Sequence, residues 1–377
     1  MTTVTPTAIE GDNLSSFRTE LRRFLHDHTP PAPHAGSAIA TDLTPADVAR
    51  QRAWQRQLHD GGWAGVAWPK SHGGRGAGAS QQLAFHEEIA LAGGDTMAGL
   101  FLVALSHAGP TVIARGTRQQ QQRWLPGILR GEIIAAQCFS EPGAGSDLAA
   151  ISTRAVVDGD ALVVTGEKRW STFAQYADIA ELLVRTDPFS RHGGLTYAIV
   201  DLDSPGITIR PLRTIGGPSE FCEVRFDEVR VPLANVIGTV GEGWQVATTT
   251  LLFERSTITA PMVLGSLHAL RRLSRLVADD PIATAEVAEL TVRALAVRAL
   301  LEQSVAEQEA GIEGAGPSAL KLLATELNYE VRHLHARHDQ SVSQPWFTSF
   351  GLRIGGGTSE IQQTIIAERV LGLPRHR

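Results

Sequence analysis

The chain has 377 residues, 43% of them apolar and 20% charged, which allows two or three domains around a large buried core. Its 34 Lys and Arg against 40 Asp and Glu give a net charge of −6, which argues against a broadly basic nucleic-acid-binding surface. No apolar run reaches the roughly 18 residues of a membrane helix, the N-terminus lacks the pattern of a secretory signal, and the two cysteines, Cys138 and Cys222, fit a reducing, cytoplasmic setting better than a disulfide framework.

Residues 1–131 carry helical signals. Asn13 is placed to cap a helix in which Leu14, Phe17, Leu21, Phe24 and Leu25 share a face, and Pro30, Pro31 and Pro33 break it. Thr44-Pro45-Ala46-Asp47 combines a cap with proline in the first turn, and the helix it opens ends near Gly61-Gly62. Gly73, Gly74, Gly76 and Gly78 mark a loop. Two or three further helices follow, separated by Gly93-Gly94 and Gly109-Pro110. Over 132–240 the period shortens. Ile151, Thr153, Ala155 and Val157 alternate, Asp158-Gly159 signals a hairpin, and Leu162-Val163-Val164 returns. Further strands are expected at Ala180 to Arg185, Thr196 to Asp201, Ile207 to Arg210 and Cys222 to Phe226, the spacing of a small antiparallel barrel or sandwich. From 241 to 377 the chain is helical again. One helix runs from about Gly243 into the 270s, another opens after Asp279-Asp280-Pro281, a third covers 318–339, and the last follows Gly355-Gly356-Gly357, with Ser359 and Gln362 at capping-box spacing.

Four segments could carry chemistry. The loop Ser140-Glu141-Pro142-Gly143-Ala144-Gly145-Ser146-Asp147 follows a strand and can bring backbone N–H groups to a ligand rich in acceptors; on spacing alone a surface turn is the commoner origin. Trp170-Ser171-Thr172 could stack on a flat heteroaromatic ring and bond its edge, although a core Trp is commoner. Glu254 shares a helical stripe with Ala247, Leu251 and Ile258, and burial raises a carboxyl toward the range of a general base; a structural ion pair is the competing reading. Gly355 to Ser359 leads into a helix start, where free N–H groups attract anions, or else is a plain turn and cap. His333, His335 and His338 lack a supporting carboxylate or cysteine cluster and read as solvated helix histidines, and Arg271, Arg272 and Arg275 read as a solvated face.

Taken together, these segments resemble the acyl-CoA dehydrogenase flavoproteins, in family order and over nearly the whole chain. The most specific pieces are Gln137 to Asp147, Gly166-Glu167-Lys168-Arg169-Trp170-Ser171-Thr172, Val224 to Pro232 and Gly357-Thr358-Ser359-Glu360-Ile361-Gln362, with Trp63 to Lys70 also similar. The resemblance implies an α+β fold: an N-terminal helical domain (1–131), a middle antiparallel β-barrel (132–240) and a C-terminal four-helix bundle (241–377). It implies FAD between barrel and bundle, with Phe139, Ser140, Gly145 and Ser146 contacting it, Trp170 packing on its rings, Ser171 and Thr172 near its N5 edge, and Thr358 reaching it from the last helix. The implied reaction is α,β-dehydrogenation of an acyl-CoA, or of an acyl group on a carrier protein. A base removes the α-proton while the β-hydrogen leaves as hydride.

Many members carry that base as a Tyr-Glu-Gly-Thr segment. Here Gly355-Gly356-Gly357-Thr358 stands in its place, and Gly356 has no carboxylate. The isovaleryl- and long-chain-type branch places the base at the position of Glu254, with Arg255 beside it as an orienting or substrate-binding residue. An electron-transfer flavoprotein is the family's usual acceptor. The segments by which homotetrameric members bind a neighbour's FAD are not found between 260 and 355, so an assembly of unlike subunits stands beside the homo-oligomer.

Overall fold

The computed structural model describes residues 8–31, 42–217, 219–312 and 316–374; within its helices the side chains of 8–12, 255–258, 343 and 344 are not described. The N-terminal helices are α1 (Ala8–Asp27), α2 (Pro45–Asp60), α3 (Ala79–Leu91), α4 (Gly109–Arg115) and α5 (Arg118–Leu129). Thr44 caps α2 as expected: its Oγ1 accepts from the Asp47 amide at 3.2 Å, and Asp47 accepts from the Thr44 amide at 2.9 Å. Two expectations change here. α1 begins before Asn13, whose side chain instead accepts from Gln81 at 3.2 Å. Gly109-Pro110 does not separate helices: a π-helical turn, Ala104–Ala108, runs directly into α4.

The middle domain is a curled sheet of β1 (Ala135–Cys138), β2 (Arg154–Asp158), β3 (Ala161–Thr172), β4 (Ile179–Arg185), β5 (Leu195–Asp201), β6 (Ile207–Leu212) and β7 (Phe221–Pro232). Its order is β1-β4-β2-β3-β7-β6, with β5 on β4. The hairpins are antiparallel, Asp158 facing Ala161 across the expected turn, while β1 pairs parallel with β4, from Ala135 opposite Ile179 to Cys138 opposite Leu182. Both faces of β4 are covered. Ala180, Leu182 and Val184 join the sheet's own core, and Ile179 and Leu183 join the core shared with the N-terminal helices. This is why its sequence is an almost unbroken apolar run, interrupted only by Glu181.

The C-terminal domain comprises α6 (Gly243–Leu276), α7 (Pro281–Glu309), α8 (Gly316–His338), α9 (Ser343–Leu352) and α10 (Ser359–Ile365). Asp280 caps α7, accepting from the Ile282 and Ala283 amides at 3.0 and 3.1 Å. The last helix is capped one residue earlier than its spacing suggests. Thr358 Oγ1 accepts from the Ile361 amide at 3.3 Å, which frees Gln362 to bond the preceding turn. Of the three histidines on α8, His335 is buried and His333 stacks on Trp346 of α9, centroids 5.0 Å apart, so they do not form one solvated face.

Candidate active site

β1 delivers the chain into the loop 139–147. Phe139 is buried edge-on against Tyr197 of β5, ring centroids 5.8 Å apart. The Ser140 carbonyl accepts from the Arg169 amide at 2.8 Å, and Glu141 and Ala144 exchange two backbone bonds of 2.9 and 3.1 Å. The buried Glu141 carboxylate accepts from the Ser152 amide at 2.7 Å, the Ser152 hydroxyl at 2.8 Å, the Thr153 amide at 2.9 Å and Lys168 Nζ at 2.8 Å. Lys168, also buried, donates to the Phe139 carbonyl at 2.9 Å. Burial opposes ionisation of Glu141, yet the ammonium and the amide and hydroxyl donors overcome it and hold the carboxyl at about 2. The turn is thus clamped from behind while its outer side stays open. Gly145 and Ser146 are exposed, and a Cβ added at Gly143 or Gly145 would meet no atom within 4 Å.

β3 bulges between Arg169 and Ser171. There Trp170 adopts φ +66°, a conformation that costs a non-glycine residue about 1–2 kcal/mol. Its indole remains 52% exposed, edge-on to Phe221 at 5.9 Å, with the Arg169 guanidinium over it at 5.3 Å. A large aromatic turned outward at a cost is a platform for a flat partner. Ser171 points the other way: fully buried, its Oγ lies 3.4 Å from Cys138 Sγ, so only its backbone can face a ligand. Thr172, half-buried, ends the strand.

Glu254 is half-buried on α6, one turn beyond Thr250. Its charge reaches two buried groups from other elements, Glu181 of β4 and Lys321 of α8. Glu181 accepts from the Tyr197 hydroxyl at 2.6 Å and from the Gln137 amide at 3.3 Å. Burial, reinforced by Glu254, pushes it up to about 8. Thr250 and Thr111 lie beside the Tyr197 hydroxyl, their own hydroxyls 2.8 Å apart, which ties α4, α6 and the sheet together. Burial lowers Lys321 to about 8 against the opposing pull of Glu254, Glu326 and Glu360. Its Nζ donates to the Gly357 carbonyl at 2.6 Å, and Gln362 donates to the Gly356 carbonyl at 3.0 Å. The turn before Thr358 is therefore pinned from two helices, with Gly356 and Gly357 at φ +66° and +92°, where glycine is favoured.

Glu254 is thus coupled electrostatically to Lys321, which holds the Gly357-Thr358 turn, and to Glu181, which bonds Tyr197 beside Phe139. The Arg255 side chain lies outside the described residues. Sequence reasoning missed the Glu141–Lys168 clamp, Glu181 and Lys321. Glu181 had a legible signal, a lone carboxylate in Ile179-Ala180-Glu181-Leu182-Leu183-Val184, whereas Lys321 is an ordinary-looking helix lysine.

A cavity of about 950 Å³ lies between α2, α3 and α4 on one side and α6, α7 and α8 on the other. Trp54, Phe85, Phe101, Leu105 and Leu320 line it, and α6 contributes Phe253, Thr259 and Ala260, Phe253 being the residue before Glu254.

Family models for the acyl-CoA dehydrogenase N-terminal, middle and C-terminal domains match residues 12–132, 136–229 and 241–371. The chain belongs to the acyl-CoA dehydrogenase family. This dehydrogenase is 38% identical over 345 residues to the acyl-CoA dehydrogenase IpdE1 of Mycobacterium tuberculosis, covering 86% of this chain and 88% of the relative. Among solved structures, the Tcur3481-Tcur3483 steroid ACAD superposes with a TM-score of 0.85 at 29% identity, covering 100% of both chains. The ChsE4-ChsE5 complex from Mycobacterium tuberculosis gives 0.82 at 30% identity, again over 100% of both. The enzyme is an FAD-dependent oxidoreductase that converts an acyl-CoA thioester to the 2-enoyl thioester. Among the described residues no helix is long and apolar enough to cross a membrane.

Proposed function

We propose that Glu254 removes the α-proton and that the cavity along α6 receives the acyl group. The observation that carries this reading is the setting of Glu254. It is half-buried on the helix that borders the cavity, within electrostatic reach of Lys321, while the family's other base position is occupied by Gly356. A cation nearby favours the ionised carboxylate, the form that can accept a proton. The cavity that α6 borders is mostly apolar and aromatic, which would keep water from carbons bound in it.

The residues present fit FAD. The open outer side of 143–146 can approach its polar arm, and the outward Trp170 offers a face to its rings. Phe139, Ser140, Gly145, Ser146, Trp170, Thr172 and Thr358 would hold it, with Ser171 contributing through its backbone. When bound, FAD supplies the hydride acceptor, and an electron-transfer flavoprotein would take its electrons onward. The cavity suits a bulky, ring-bearing acyl group, in keeping with the steroid ACAD among its structural neighbours. Two of those neighbours are named as pairs of components, which supports an assembly with an unlike, related subunit.

Glu254→Gln tests the assignment. The variant should keep its yellow flavin and lose at least about 10²–10⁴-fold in kcat, the usual worth of a general base. Turnover within a few-fold of the parent enzyme would place the base elsewhere.

A further inference from the structure

His86 of α3 lines the acyl cavity and has one ring nitrogen committed. Its Nδ1 lies 3.1 Å from the Thr96 carbonyl oxygen. A carbonyl only accepts, so Nδ1 carries the hydrogen, and in the neutral ring Nε2 is left as a bare acceptor. His86 is half-buried and is part of the cavity wall. Burial also pushes the imidazole down to about 4, so it is neutral at any ordinary working pH. Phe85 packs against it edge-on, centroids 5.8 Å apart.

Four other polar side chains of the cavity wall have protein partners. Gln82 donates to the Ala77 carbonyl at 2.9 Å, Gln55 to the Leu129 carbonyl at 3.1 Å, and Gln51 accepts from the Leu100 amide at 2.8 Å. Asp95 accepts from the Met97 amide at 2.8 Å. Nε2 of His86 has no hydrogen-bond partner among the described residues, and the cavity it lines is mostly aromatic and aliphatic but also carries Arg50, Ser106, Ser304 and Gln308. An acceptor covered by a bound group without a partner is costly, so a group that fills the cavity beside His86 gains by donating to Nε2.

We infer that His86 is a specificity residue: its Nε2 accepts a hydrogen bond from a hydroxyl carried on the bulky part of the acyl group. This rests on the reading that the cavity takes the acyl group, and it adds a chemical requirement to that reading. A purely hydrocarbon acyl group would bury Nε2 unpaired, and a ring ketone would set two acceptors against each other.

The test compares 3-(decahydronaphthyl)propanoyl-CoA with its ring-hydroxylated isomers, using the assembled flavoenzyme. The parent enzyme should favour one hydroxyl position over the plain hydrocarbon by at least about tenfold in kcat/KM, the size of one buried hydrogen bond. His86→Phe should erase that ratio, and His86→Gln, which retains an acceptor, should restore part of it. No preference at any ring position in the parent enzyme, or a ratio that His86→Phe leaves intact, overturns the inference. Leu105→Trp, which fills the cavity from another wall, separates the two readings. If it abolishes turnover of every decahydronaphthyl substrate while His86→Phe leaves the ratio intact, the cavity still holds the acyl group and only the His86 role fails. If it leaves those substrates unaffected, the cavity is not the acyl site and both readings fall.

Discussion

Glu141 and Glu181 are both buried and respond in opposite directions, because Glu141 meets an ammonium and three further donors, while Glu181 is more deeply buried with two neutral donors, no cation and a neighbouring carboxylate. Glu141 is held at about 2 in the fold, against 4.5 ordinarily. Its stabilising effect is therefore complete above about pH 4.5 and is lost as pH falls through about 2. The urea midpoint should drop across that interval in the parent enzyme, and more shallowly in Glu141→Gln. At neutral pH Lys168→Met strands a buried carboxylate and should cost about 3–5 kcal/mol by chemical denaturation. Glu181 runs the other way. Raised to about 8, it makes folding progressively less favourable as pH climbs from about 4.5 to about 8. Glu181→Gln should gain stability over the parent enzyme across that range, seen as a melting-temperature difference that grows between about pH 5 and about pH 9. A difference flat in pH would mean that Glu181 is ionised throughout.

Among the elements, α8 has a role that its amphipathic pattern conceals. Lys321 reaches from it to the Gly357 carbonyl and to the field of Glu254, so one side chain supports both the turn before Thr358 and the charge of the proposed base. Lys321→Met should move the acid limb of the kcat/KM profile to higher pH, since the carboxylate loses the cation that favours it. A uniform fall in kcat with the limb unmoved would show that Lys321 only supports the turn. Much at this scale was readable in advance. Thr44-Pro45 opens α2, Asp280-Pro281 opens α7, and Asp158-Gly159 turns β2 into β3, because caps and turns are decided by neighbours a few residues apart. What escaped was the parallel pairing of β1 with β4, which joins residues about 44 apart and leaves no local trace. The continuous π-to-α run through Gly109-Pro110 escaped too, because its packing against α6 outweighs the local break.

At the scale of the whole molecule, the site exists only where three domains meet. Tyr197 and Glu181 come from the sheet, Thr111 from the N-terminal helices, and Glu254 and Lys321 from the bundle. The bundle also exposes large apolar side chains, among them Leu252, Val292 and Leu295 at 62%, 68% and 53%, which are suited to cover by another subunit. With the proposed unlike subunit required, the chain purified alone should carry well under one FAD per chain, and co-expression with its related partner should restore full loading by absorbance. A full complement of flavin on a stable homo-oligomer would remove the need for that partner.

The sequence by itself determined the order of helices, sheet and bundle, the open glycine loop after the first strand, and the absence of a carboxylate at Gly356 that points the proposed base to Glu254. Each of these is written in residues close together along the chain, or in a motif read whole. Only the tertiary structure decided that Ser171 turns inward to Cys138 while Trp170 turns out, that Glu141 is clamped by Lys168, and that His86 presents a bare nitrogen to a cavity built from six helices. Those outcomes depend on which distant side chains exclude water from one another, and solvent exclusion is a property of the packed whole rather than of any segment.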